Sequence, residues 1–230
     1  MKRNQSGFTL IEIAIVLVII GLLLGGVLKG QELINSAKVK NLATDFKNIP
    51  VYIYGYQDKF KALPGDQTTA ALTTQFPPVN TATTATSTAL ANGVINGNWN
   101  DSPATLSESV VFWQHVRLAG LAPGPTTTSD ASYTPTNASG GIIGIQSGTT
   151  STATTPINQT TGAGPIRGSY IICSAGILGK FAKQLDTTMD DNNTAAGSMM
   201  AGVATTPPGT PMTAVAALDD ATTYTVCMGI

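Results

Sequence analysis

The sequence predicts an α+β protein: a long N-terminal α-helix, transmembrane in its first half, packed on a small antiparallel β-sheet in a globular domain with Thr-rich loops. Three observations predict it. Residues 8–28 are almost wholly apolar. Beyond them Val39, Leu42, Phe46, Ile49, Ile53, Tyr56 and Phe60 recur at alternating spacings of three and four, which draws one stripe on a helix. Towards the other end, residues 169–173 and 222–228 are rich in β-branched and aromatic side chains, the composition of strands.

The apolar run comes first in the chain. At 1.5 Å per residue it makes a helix of about 31 Å, enough to cross a bilayer core. Lys2 and Arg3 precede it and belong on the cytoplasmic side by the positive-inside rule. The rest of the chain then lies on the far side. An ordinary secretory signal fits poorly, because the run is long and ends without a small-x-small cleavage site. A simple anchor fits the length but not Glu12. A carboxylate at a bilayer centre costs on the order of 3 kcal/mol; nearer one face the cost is smaller, but an anchor has no use for it. Gly21, Gly25, Gly26 and Gly30 give small-x-x-x-small spacings that allow close helix approach, or are simply tolerated there. In the amphipathic half, Lys38, Lys40, Asp45 and Lys47 suit a solvated side. Pro50 removes a backbone donor, so a bend is expected near it.

Leu63-Pro64-Gly65-Asp66 reads as the turn that ends the helix. Residues 68–91 and 126–164 are rich in Thr and Ala or Gly and read as exposed loops or irregular strands, the second with an apolar insert at Ile142-Ile143-Gly144-Ile145. Asn137-Ala138-Ser139 and Asn158-Gln159-Thr160 match a glycosylation sequon, a chance match in so Thr-rich a chain. Residues 106–121 predict a second helix with Ser107 as its cap. His115 is the only histidine, so a histidine metal cluster is excluded and a structural role is expected. Phe181, Leu185 and Met189, spaced i, i+4, i+8, predict one or two helical turns.

Charge narrows the function. Twelve basic residues face thirteen acidic ones, so there is no basic field for nucleic acid. No phosphate loop and no nucleophile–base pair is evident, which argues against an enzyme. Asp186, Asp190, Asp191 and Asn193 cluster oxygen ligands that suit Ca²⁺, although a solvated acidic turn has the same composition. Apart from Ca²⁺ no cofactor is expected. Asn92 to Asn98 has a similar look but no carboxylate. If the domain is exported, Cys173 and Cys227 pair; two buried thiols are the alternative.

Gly7-Phe8-Thr9-Leu10-Ile11-Glu12, preceded by a short basic leader and followed by the apolar run, resembles the prepilin cleavage motif of type IV pilins and pseudopilins. The resemblance implies a cut between Gly7 and Phe8 by a prepilin peptidase, and N-methylation of Phe8. Glu12 becomes the fifth mature residue and pairs with a neighbouring subunit's terminal amine during assembly. It thus divides the chain into a leader (1–7), a transmembrane and assembly half-helix (8–28), an amphipathic half-helix (29–62) and a globular pilin-like domain (63–230). Many pilins carry a helix-breaking proline near the position of Lys29. The acidic loop resembles the stretch where major pseudopilins hold calcium. The implied function is a structural subunit, pilin or minor pilin, of a type IV pilus-like filament. Alternatives are a pseudopilin of a type II secretion system and a tip minor pilin that acts as an adhesin or DNA-binding module. The implied partners are copies of itself, other pilin-like subunits and an assembly platform. The implied location is the inner membrane with a cytoplasmic N-terminus, then a periplasmic or cell-surface filament.

Overall fold

The computed structural model describes residues 9–77, 81–160 and 164–230. The chain divides into two compact units between Lys38 and Val39. One helix, α1 (Leu10–Phe60), runs through the division. Within the first unit its surface is bare: the large apolar side chains from Leu10 to Leu28 are all exposed, and a methyl group at Gly21, Gly25, Gly26 or Gly30 would meet nothing within 4 Å. Lys29 and Glu32 pair at 2.7 Å on this surface, where both are well solvated, so the pair adds little.

In the second unit the stripe predicted from spacing is the buried face of α1. Val39, Leu42, Phe46, Ile49, Ile53 and Tyr56 are buried and Phe60 packs against them. Pro50 sits inside the helix, which continues through it. The helix stops at Phe60, ahead of the Pro64-Gly65 turn, because Lys61 takes a left-handed backbone (φ 54°). After a short helix α2 (Thr69–Gln75), capped by the Thr68 side chain, and a 3₁₀ turn at Pro103–Thr105, helix α3 (Glu108–Leu118) follows. It is shorter than the predicted 106–121. Ser107 precedes it but makes no side-chain capping bond.

Strands β1 (Ile143–Ser147), β3 (Tyr170–Leu178), β4 (Met199–Gly202) and β6 (Thr223–Gly229) form an antiparallel sheet in the order β1-β3-β6-β4. Helix α4 (Gly179–Met189) links β3 to β4. Strands β2 (Ile157–Asn158) and β5 (Met212–Thr213) pair in parallel as a separate ribbon. Side chains alternate across a strand, and here both faces are covered. Ile172, Tyr224, Val226 and Met228 join the helices in one core. Ile171, Cys173 and Cys227 join Ile157 and Met212 of the ribbon in a second, smaller one. The fold is therefore α+β, as predicted. Within the stretch 126–164, expected to form exposed loops or irregular strands, the apolar insert is a regular strand with Ile143 and Ile145 buried, because β3 offers them a partner edge. Gly144 is required there, since any side chain would strike the Trp99 carbonyl.

Candidate assembly segment and metal cluster

Helix α1 begins with a reciprocal cap. The Thr9 N–H donates to Glu12 Oε2 at 2.8 Å, and the Glu12 N–H donates to Thr9 Oγ1 at 3.3 Å. The Thr9 hydroxyl also donates to Glu12 Oε2 at 2.7 Å. This is the capping-box arrangement of Thr-x-x-Glu, in which side chains satisfy amide donors that a helix start leaves free. It fixes the carboxylate beside the first turn, next to the exposed Leu10 and Ile11. The box was readable in the sequence as Thr9-Leu10-Ile11-Glu12 but escapes notice inside an apolar run. Gly7 and Phe8, the predicted cleavage and methylation positions, lie outside the described residues.

At the far end of α4, carboxylate oxygens of Asp186, Asp190 and Asp191 converge within 4.8 Å of one another. The last turn of α4 supplies Asp186, and Asp190 follows as the residue that caps the helix. Asp186 is 1% exposed, and neither of its carboxylate oxygens has a hydrogen-bond partner. Burial, with the charges of Asp190 and Asp191 behind it, pushes its pKa up to about 6. The Asn193 N–H lies close enough to offset this slightly, but its hydrogen bond goes to Asp191 Oδ1 at 3.0 Å. Asp190 Oδ2 accepts the N–H groups of Ser198 (2.8 Å) and Met199 (2.9 Å). Asn193 Oδ1 accepts from the Ala195 N–H at 3.3 Å. Among the described residues, no Lys or Arg forms an ion pair with the three aspartates. Hard oxygen donors with an orphaned buried carboxylate are the chemistry that a divalent cation fits.

Residues 2–28 match the family model described as the prokaryotic N-terminal methylation motif. The chain carries the type IV pilin and pseudopilin signature. Comparison with curated proteins and with solved structures finds no significant match. The pilin signature supports filament formation and processing by prepilin peptidase, and it points to a structural protein rather than an enzyme. Together with an N-terminal helix long and apolar enough to cross a membrane, it suggests anchoring in the inner membrane.

Other polar residues of the domain behind the pilin signature make structural contacts. Cys173 and Cys227 form a disulfide and face each other across β3 and β6. His115 is fully buried. Its Nδ1 accepts the Gly65 N–H at 2.9 Å, so Nε2 carries the proton and donates to the Thr83 carbonyl at 2.9 Å. Burial pushes its pKa down to about 4, with the Thr83 carbonyl opposing. The histidine thus ties two loops to α3, the structural role expected. Gly65 (φ 93°) packs so close to the Glu108 carbonyl that no side chain fits there. In the first sequon, Asn137 is buried, and its Nδ2 donates to Ser174 Oγ and the Ala175 carbonyl, both at 2.7 Å. No hydrogen is left for a sugar.

Proposed function

We propose that the chain is a structural subunit, pilin or minor pilin, of a type IV pilus-like filament. In this reading a prepilin peptidase cuts between Gly7 and Phe8 and Phe8 is N-methylated. The subunit waits in the inner membrane and assembles through its N-terminal helix. The observation that carries the reading is Glu12 within a bare apolar helix that bears the pilin signature. A charge in an apolar filament interior requires an opposite one, and the new amine of a neighbouring subunit supplies it. The capping box supports this: it holds the carboxylate at the helix start without neutralising it.

A second reading, a pseudopilin of a type II secretion system, is favoured by the aspartate cluster. In it Asp186, Asp190 and Asp191, with Asn193 nearby, hold Ca²⁺, which would supply the positive charge that Asp186 lacks. Deleting the gene and scoring both surface fibres and exoprotein release separates the two. Loss of fibres with intact release supports the pilin reading; loss of release with normal fibres overturns it. Both readings require leader removal. Gly7→Ile is expected to block it, because a bulky side chain fills the small site that the peptidase reserves for glycine. A mature N-terminus at Phe8 in that variant, read by mass spectrometry, would count against both.

A further inference from the structure

We propose that the aspartate cluster and the Cys173–Cys227 disulfide are coupled through β4, so that a divalent cation held by Asp186, Asp190 and Asp191 protects the disulfide from reduction. The inference rests on the cation reading above and adds what the ion controls.

The physical link is short. Asp190 caps α4, its N–H donating to the Asp186 carbonyl at 2.7 Å. Its carboxylate receives the N–H groups of Ser198 and Met199, and Met199 is the first residue of β4. The next residue, Met200, lies directly opposite Cys227 and is buried in the same small core as both cysteines. The loop between cluster and strand is laced to its surroundings. The Ala201 N–H donates to the Thr194 carbonyl at 2.9 Å, and the Gly229 N–H to the Ser198 carbonyl at 2.8 Å. Thr194 Oγ1 donates to the Val215 carbonyl at 2.7 Å. The ribbon over the disulfide is attached to the same strand, through the Gly202–Ala214 bridge and the Val215 N–H on the Ala201 carbonyl at 2.8 Å.

Both cysteines are fully buried, so a thiolate reaches a sulfur only after something opens. β4 is four residues long and lies at the sheet edge, and the ribbon follows it. Its release is a local opening that uncovers Cys227. The same release carries Ser198 and Met199 away from Asp190, whose carboxylate then loses the two N–H groups that hold it within reach of Asp186 and Asp191. A cation bound only to the closed form lowers the open population by the factor 1 + [L]/Kd, and the reduction rate falls with it. β4 is the two-state element that both sites bias.

The test uses the full chain in detergent, with dithiothreitol as the two-electron reductant and alkylation followed by intact mass as the readout. Equilibrium dialysis with Ca²⁺ alone gives Kd. At free Ca²⁺ of ten times Kd, reduction should slow about elevenfold relative to chelator. Asp186→Asn should abolish both binding and the slowing. Binding with an unchanged reduction rate overturns the coupling and leaves the cation reading standing. Absence of binding overturns both. Calcium-dependent slowing that survives in Asp186→Asn overturns the assignment to this cluster.

Discussion

At Glu12 the carboxylate is engaged before any neighbour arrives, by the backbone and hydroxyl of Thr9. Two variants separate its local role from the proposed assembly role. Thr9→Val removes the hydroxyl half of the cap and is expected to loosen the first turn by about 1 kcal/mol, without blocking leader removal. Glu12→Ala is expected to be processed and yet enter filaments about tenfold less, or worse, because a neighbour's amine left uncompensated in an apolar interior costs several kcal/mol. Immunoblots of sheared filaments against whole cells measure both, and normal incorporation of Glu12→Ala removes the charge-pairing argument. His115 makes a separate prediction about pH. Its folded pKa, about 4, lies below its ordinary value near 6.5. The unfolded chain therefore takes up the proton first as pH falls. The stability it confers is complete above about pH 6.5 and declines as pH drops towards 4, by up to about 3 kcal/mol. A protonated ring also turns an N–H against the Gly65 N–H. His115→Gln should flatten that decline in thermal melts taken between pH 7 and pH 4.

The elements differ in how openly the sequence declared them. Along α1 the period of 3.6 survives intact from Val39 to Phe60, so the buried face was readable residue by residue. Phe46, 1% exposed, should cost about 3–5 kcal/mol as Phe46→Ala, while Lys47→Ala on the opposite side should stay within about 0.5 kcal/mol. Urea denaturation of the two proteins checks the contrast. β3 and β6 were legible because their branched side chains are bounded by turns. β4 was not: Met199-Met200-Ala201-Gly202 has no strand composition, and it becomes a strand only because β6 offers a free edge and two cores accept its alternating side chains. β1 was hidden for a related reason, its isoleucines surrounded by Thr and Gly whose loops say nothing about a distant partner. In the aspartate cluster, the i, i+4 spacing was legible and the burial of Asp186 was not, since that depends on how the turn after α4 folds back. The disulfide follows from strand pairing. Replacing both cysteines by serine removes a cross-link that closes 54 residues and should lower stability by roughly 4 kcal/mol in the chain-entropy model, measured by the same denaturation.

Taken as one molecule, the chain has a first unit whose apolar side chains find no cover in it and a second unit that buries its own. A helix greasy on every side is stable in lipid or among its own kind. Under the proposed function, the first unit exchanges one for the other while the second remains folded. Intact mass of the native protein should therefore reveal leader loss, a methyl group and an oxidised cysteine pair together, and a mass that includes Met1 to Gly7 would sink the proposal. The position of β6 has a consequence for how such a chain reaches its compartment. This strand sits between β3 and β4, yet under the proposed function it is the last of the six described strands to emerge during export. Until residues 223–229 cross, β3 has one edge bare and Cys173 has no mate. On that reading latching of the sheet is the closing act of translocation, and a chain halted midway should be caught in mixed linkages to foreign thiols.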